Sequence, residues 1–177
     1  AAALAALAAG APHPGVVPGA WRAGLAGRRV AVVFGGESLY AGCAADVFAT
    51  SATFRETASR VASEAAAAGL GDFRDLPKLL DAAPAALSAR TRNALAFLIQ
   101  SALYAVVAED WQLAPDAVLG YSVGELAASV AAGCLATRDV AELFAATTYA
   151  NFDGGEAGDG VGAMAAVGGT DRAALDA

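Results

Sequence analysis

One short stretch, VLGYSVGELAA at residues 118–128, constrains the fold more than any other part of the chain. Its apolar run, central turn and helix-forming end predict a short apolar strand, a turn with Ser122 at its apex, and a helix. Gly120 and Gly124 are the second neighbours of Ser122 and give the pattern G-x-S-x-G. In a nucleophile elbow, small residues there let strand and helix approach closely around a strained serine. An ordinary strand-turn-helix connection is the alternative, because a chain rich in glycine and alanine can meet this pattern by chance.

The rest of the chain predicts strands that alternate with helices. We expect strands at residues 28–34, 116–122 and 161–169, and helices at about 39–48, 53–68, 91–111, 124–132 and 137–150. Gly69 and Gly133 would end two of these helices, and Thr137 or Asp139 would cap the last one. The expected fold class is α/β, with a parallel sheet flanked by helices and a hydrolase-like serine turn.

The chain divides into three expected parts. Residues 1–27 form a Pro- and Gly-rich leader or linker, residues 28–155 part of a large subdomain, and residues 156–177 the beginning of a small α+β subdomain. A further helix is predicted from Thr170, after the helix at 137–150, and it reaches Ala177 without an end signal. Because domains rarely stop within an element, we expect a truncated domain that continues beyond this sequence.

Charge and composition exclude several classes of partner. The net charge of −7 gives no attraction to phosphate backbones or anionic lipids, so neither nucleic acid nor membrane is expected as a partner. The apolar run at residues 94–108 contains Gln100 and Ser101 and predicts a buried helix rather than a membrane span. Cys43 and Cys134 lack metal-ligand spacing, which predicts two buried small side chains and no metal site. We expect a cytoplasmic protein.

A serine nucleophile requires a group that takes its proton. The chain contains one histidine, His13, which stands between Pro12 and Pro14 in the leader. This setting is typical of a solvated loop residue, so His13 is not expected to act in catalysis. The residues alone therefore predict a nucleophile at Ser122 and leave its base unassigned.

Several segments resemble one family. GYSVGELAASVAAGCLATRDVAELFAA is similar to the G-H-S-x-G-E segment of the acyl-CoA:acyl-carrier-protein transacylases. This family comprises the malonyl transferases of fatty-acid synthesis and the acyltransferase domains of modular polyketide synthases. RRVAVVFGGESLYAGC resembles its opening strand and G-Q-G-S-Q-x-x-G loop, and NALAFLIQSALYAVVAEDWQLAPDAVLGYS resembles its Q-P-A-L helix. GAMAAVGG is similar to the strand that opens its small, ferredoxin-like subdomain. The resemblance begins near Arg28 and covers the N-terminal part of the domain.

This resemblance implies a mechanism. Ser122 would attack an acyl-CoA thioester, hold the acyl group as an ester, and pass it to the phosphopantetheine thiol of an acyl carrier protein. The backbone N–H groups of Gly36 and Val123 would form the oxyanion hole. The family's base is a histidine in the second half of the domain, so this chain alone is expected to be nearly inactive. No tightly bound cofactor is implied, acyl-CoA is the substrate, and neighbouring synthase domains are expected in the same polypeptide.

Three residues depart from the family pattern. Tyr121 replaces the histidine beside the serine; it has either a substrate-conditioning role or a packing role at the strand end. Thr147 replaces the arginine that reads malonyl-type carboxylates, which favours an uncharged acyl group such as acetyl or propionyl. Asn93 replaces the glutamine of Q-P-A-L, either as a substrate-binding amide or as a polar residue of the helix start. Two further functions stay open, an editing hydrolase for stalled acyl groups and an inactive remnant kept as a structural spacer.

Overall fold

The computed structural model describes residues 29–147 together with the isolated positions 9 and 11. Apart from positions 9 and 11, the predicted leader lies outside these residues, as do the third strand, the small subdomain and His13. The proposed domain boundaries therefore stay predictions.

A parallel pair of strands carries the serine turn. Strand β1, Ala31–Phe34, pairs with strand β2, Ala117–Gly120, so that Ala31 lies opposite Ala117 and Phe34 opposite Gly120. The backbone N–H of Val30 donates a hydrogen bond of 2.7 Å to a carboxylate oxygen of Asp116, just before both strands begin. This contact sets the register from the first residue. The predicted α/β class with a parallel sheet is confirmed, and the described part is mostly helical.

The described residues contain six α-helices besides this sheet. Their bounds are α1, Ala45–Thr50; α2, Ala52–Ala67; α3, Leu76–Asp81; α4, Ala89–Ala105; α5, Gly124–Ala131; and α6, Thr137–Ala146. Short 3₁₀ turns at Gly71–Arg74 and Pro84–Ala86 flank α3, and a π-helical turn, Val106–Asp110, continues α4. Side chains cap three of the helices, since Ser51, Asp75 and Ser88 each accept a hydrogen bond from a backbone N–H in the first turn.

One predicted helix start differs from the structure, and for another helix the structure decides between the two predicted capping residues. The first helix begins at Ala45 rather than near residue 39, because Gly42 takes a φ of 72° and the chain turns there. The last helix has Ala136 as its N-cap residue, and the Ala136 N–H donates to the Asp139 carboxylate at 2.9 Å. Asp139 therefore caps the start of this helix, as predicted. Thr137 does not cap it, because its hydroxyl lies within the helix and accepts a hydrogen bond from Arg60.

The core lies between α2, α4 and α6. Its largest fully buried side chains are Phe54, Phe97, Leu98, Val61 and Val140. The rings of Phe97 and Phe144 are tilted, with their centroids 5.9 Å apart, and tie α4 to α6. The prediction of two buried cysteines was wrong for one of them, since Cys134 is exposed and Cys43 is half-buried.

Within residues 29–147, helices cover one face of the two-stranded sheet. Phe34 is buried there against the ring of Tyr104 from α4, with a centroid distance of 5.6 Å, and α5 packs beside it. On the opposite face Val33 is 68% exposed and its strand neighbour Leu119 is 55% exposed. The strand alternation therefore produces one packed face and one apolar face in water.

By length and composition, one helical segment, Ala89–Asp110, could cross a membrane. Half of it is buried within the protein, and it contacts α2 and α5. A core helix of a soluble protein passes the same test, and this one agrees with the buried helix predicted from the sequence. The cytoplasmic location stays a prediction.

We predict that Phe97→Ala lowers the free energy of unfolding by about 3–5 kcal/mol, because it leaves a cavity in the fully buried core. Leu103→Ala is the matched control, since Leu103 lies on the same helix and is 43% exposed; its cost should stay below about 1 kcal/mol. Equilibrium urea unfolding measures both values. Equal losses for the two variants would contradict this assignment of the core.

Candidate active site

The chain reverses direction sharply at Ser122, between β2 and α5. Ser122 has a φ of 56°, in the left-handed region that non-glycine residues rarely adopt. The Tyr121 N–H donates to the Phe34 carbonyl at 3.0 Å, which extends the strand pairing to the residue before the serine. The Gly124 N–H then donates to the Tyr121 carbonyl at 3.0 Å and closes the turn. This is the backbone geometry of a nucleophile elbow.

The two glycines of the motif lie where backbones meet without room for a side chain. A Cβ atom added to Gly120 would collide with backbone atoms of Gly124 and Glu125. One added to Gly124 would collide with the carbonyl groups of Phe34 and Gly35 at the end of β1. The spacing of the motif therefore reflects a close contact of both strand ends with the first turn of α5.

The predicted oxyanion donors flank the serine. A Cβ atom built on Gly36 would lie 3.6 Å from the Ser122 Cβ, so the loop after β1 reaches the elbow. Val123 follows the serine directly and is the N-cap residue of α5. Neither the Gly36 N–H nor the Val123 N–H donates to another backbone group within residues 29–147. N–H groups without a backbone acceptor, on residues beside Ser122 and at the positive end of a helix, are of the kind that can stabilise an oxyanion, and this role stays a prediction.

Tyr121 lies over the loop rather than in the core. Its side chain is 74% exposed, and two of its ring carbons would stand 3.1 and 3.2 Å from a Cβ atom on Gly36. The ring thus occupies the space into which a larger residue at position 36 would extend. This placement is at the serine, and its role in substrate choice stays a prediction.

Asn93 and Thr147 use their side chains in local backbone contacts. The Asn93 amide nitrogen donates to the Ala89 carbonyl at 2.9 Å, within the first turns of α4. The Thr147 hydroxyl donates to the Leu143 carbonyl at 2.7 Å, at the end of α6. A substrate contact by either residue stays a prediction.

Two residues near the site were missed by the sequence analysis. Glu37 follows Gly36, and one of its carboxylate oxygens lies 2.7 Å from Nε of Arg92 on α4. Arg92 Nη1 also donates to the Leu87 carbonyl at 2.8 Å. The sequence did contain a signal for this contact. Glu37 stands at the second glycine of the family's G-Q-G-S-Q-x-x-G loop, and a charged side chain at that position needs a partner.

Within residues 29–147 no three His, Cys, Asp or Glu side chains lie close enough together to hold a metal ion. A parallel sheet and a sharp serine turn between a strand and a helix are the features that α/β proteins with a nucleophile elbow share, and the catalytic role of Ser122 stays a prediction. Comparison with known proteins narrows this class.

No family profile matches the chain. The chain is 39% identical over 144 residues to the phenolphthiocerol synthesis polyketide synthase type I Pks15/1 of Mycobacterium marinum, covering 81% of this chain and 7% of the relative. It is 39% identical over 151 residues to polyketide synthase GfsA of Streptomyces halstedii, covering 80% of this chain and 2% of the relative. Its structure matches the acyltransferase domain from the second module of the salinomycin polyketide synthase with a TM-score of 0.60 and 33% identity, over 81% of this chain and 32% of that one.

The chain belongs to the acyltransferase domains of polyketide synthases, and it corresponds to the N-terminal part of such a domain. It spans less than two thirds of each of these relatives, which are much longer polypeptides. This confirms the resemblance found in the sequence and favours its polyketide branch.

We predict that Ser122→Gly is more stable than Ser122→Ala by about 1 kcal/mol, because glycine takes a positive φ without the Cβ penalty. At Ser129, within α5, the order should reverse by about 1 kcal/mol, since glycine is unfavourable inside a helix. Urea unfolding of the four variants measures both differences. The same sign at both positions would argue against the strained turn.

We further predict that Gly124→Ala destabilises the protein by about 1–3 kcal/mol or more, because a methyl group there meets backbone that cannot move aside. Gly71→Ala is the control, since nothing lies within 4 Å of its Cβ direction, and its effect should stay within about 0.5 kcal/mol. Thermal unfolding checks the pair, and a neutral Gly124→Ala variant would refute the close approach.

Proposed function

We propose that the chain forms part of an acyltransferase that moves an acyl group from coenzyme A to the phosphopantetheine thiol of an acyl carrier protein. The observation that carries this proposal is the positive φ of Ser122, an exposed residue at the sharp turn between β2 and α5. The available N–H groups of Gly36 and Val123 support it. Membership of the polyketide synthase acyltransferases fits this reaction class.

In the first step the Ser122 oxygen bonds to the thioester carbonyl carbon while the hydroxyl proton is taken up by a base. The carbonyl oxygen becomes negatively charged, and the two N–H groups stabilise it as hydrogen-bond donors. When the intermediate collapses, the carbon–sulfur bond breaks, and coenzyme A leaves as a thiol after it regains a proton. The carrier thiol then attacks the serine ester by the reverse sequence and restores the hydroxyl.

The base that accepts the Ser122 proton is also part of this proposal. Residues 29–147 contain no histidine, and the resemblance assigns the base to a histidine in the second half of the domain. A serine hydroxyl without a base is a poor nucleophile. We therefore expect the 177-residue chain alone to turn over very slowly, and the complete domain to be the active form.

We propose an uncharged acyl group, such as acetyl or propionyl, as the preferred substrate. Within α6 the one basic residue is Arg138, at the helix start, where it pairs with Asp139 at 3.5 Å. Near the helix end, Arg90 Nη2 donates to the Thr147 carbonyl at 2.9 Å, so this guanidinium nitrogen binds a backbone oxygen. A malonyl carboxylate buried without a guanidinium partner would cost several kcal/mol.

The partners follow from the same reaction. The relatives are large multidomain polyketide synthases, which supports neighbouring synthase domains and a carrier protein that presents its thiol to Ser122. Coenzyme A thioesters act as substrates in this proposal, and no resident cofactor is required. A role in polyketide synthesis is favoured over fatty-acid synthesis, because the similar proteins named above are polyketide synthases.

We predict that a polypeptide carrying this chain together with the C-terminal part of its domain forms an acyl ester on Ser122, and that acetyl- or propionyl-CoA acylates it at least about tenfold faster than malonyl-CoA. Intact-mass and peptide mass spectrometry measure the adduct and its site. Ser122→Ala should abolish it, whereas Ser129→Ala, which removes a hydroxyl from α5 beyond the elbow, should not. Predominant malonyl-Ser122 would refute the substrate preference.

The fate of the acyl-Ser122 adduct distinguishes the transferase from an editing hydrolase and from an inactive remnant. Transfer to carrier protein should exceed hydrolysis when both are offered, whereas an editing hydrolase would release most of the acyl group to water. Absence of any Ser122 adduct with acetyl-, propionyl- and malonyl-CoA would refute the transferase and favour a structural remnant.

A further inference from the structure

We infer that the Glu37–Arg92 ion pair is a positioning pair, which fixes the loop after β1 so that the Gly36 N–H stays beside Ser122. This inference rests on the proposed function, because it assigns the loop a part in oxyanion stabilisation. Neither residue is assigned a contact with substrate. The pair acts through the backbone of residues 35–37.

The geometry of the pair is that of an anchored contact rather than a loose surface pair. Arg92 Nε lies 2.7 Å from the Glu37 carboxylate, and the two side chains are only 24% and 31% exposed. The same guanidinium donates to the Leu87 carbonyl at 2.8 Å, which holds it against the segment before α4. A guanidinium fixed at two points loses little further freedom when it binds the carboxylate, and the charge-assisted bond is short.

The loop needs such an anchor because it has few other attachments. Gly35 and Gly36 are adjacent, and nothing lies within 4 Å of the Cβ direction of Gly35. Within the described residues, no backbone N–H of positions 35–38 donates to another backbone group. Consecutive glycines lose much conformational freedom when they are ordered. The Glu37 side chain therefore supplies the polar attachment that the loop backbone lacks.

The other side of the loop is bounded by the elbow itself. The Tyr121 ring contacts the Gly36 position, and the carbonyl groups of Phe34 and Gly35 lie against Gly124. Gly36 is thus held between the elbow and the anchored Glu37. Loss of the ion pair would free one side of the loop, and the Gly36 N–H could then turn away from the developing oxyanion. A misplacement of this kind typically reduces the rate by up to about a hundredfold.

The test uses Glu37→Gln, Arg92→Gln and the double variant in the complete acyltransferase polypeptide, with Arg138→Gln as the matched control. Arg138 also forms an ion pair, but it is 76% exposed and lies at the start of α6. We expect each single variant to acylate Ser122 about tenfold to a hundredfold more slowly, with the KM for acyl-CoA nearly unchanged. The double variant should be no slower than either single one, because the two residues act as one unit. Arg138→Gln should stay within about twofold.

A second measurement on the 177-residue chain does not depend on catalysis. The NMR order parameter of the Gly36 amide should be about 0.85 in the unaltered chain and below about 0.6 in either single variant. If no acyl-CoA acylates the unaltered complete protein, the proposed function fails, and the order parameter still decides whether the pair fixes the loop. If Glu37→Gln does not fold, Arg92→Lys takes its place, since it keeps the charge but loses the planar fork.

Three results would overturn the inference. The first is an unchanged Gly36 order parameter in both variants. The second is unchanged acylation despite a mobile loop. The third is an effect confined to the KM for malonyl-CoA, which would instead make Arg92 a reader of the acyl carboxylate.

Discussion

Three stretches of backbone meet at the elbow so closely that two of them, at Gly120 and Gly124, have no room for a side chain. Gly120 ends β2, Gly124 begins α5, and the carbonyl groups of Phe34 and Gly35 end β1. This contact forces the turn between them into one sharp bend, and the residue at the bend, Ser122, takes a φ of 56°. Strain of this kind persists only where the surrounding structure over-determines the conformation. The exposed hydroxyl and the placement of the first α5 turn both follow from that contact.

The environment that would stabilise an oxyanion is built from backbone rather than from charged side chains. The chain carries a net charge of −7, and its basic side chains near the site are engaged with other groups, Arg92 with Glu37 and Arg90 with the Thr147 carbonyl. The N–H groups of Gly36 and Val123 and the dipole of α5 supply positive potential without adding a charge. In the proposed reaction an acidic protein would thus hold negative charge on an acyl oxygen, and the side chains would serve to order the backbone that does so.

Much of the fold could be predicted from the sequence, because its strongest signals are local. The parallel strands and the long buried helix follow from apolar runs, and the helix ends near Gly69 and Gly133 follow from their positive φ values. The elbow was predictable because Gly120 and Gly124 lie two residues either side of Ser122, so the close contact that requires them is visible as a local sequence pattern. The charge of Glu37 indicated that it needs a partner, but Arg92 could not be predicted as that partner, because 55 residues separate the two and nothing local links them. The start of α1 was also misplaced, since helix propensity before Gly42 is overridden by the turn that this glycine allows.

The uncovered face of the sheet bears on how such a chain behaves while it is being made. Val33 and Leu119 are neighbours across β1 and β2, and both are mostly in contact with water. Full burial of side chains of this size contributes about 1.5–3 kcal/mol each. Until other polypeptide covers them, copies of the chain gain the same contribution by adhering to one another. The yield of soluble protein would then depend on how rarely nascent chains collide, and a chaperone that shields this face would raise it without altering the folded state.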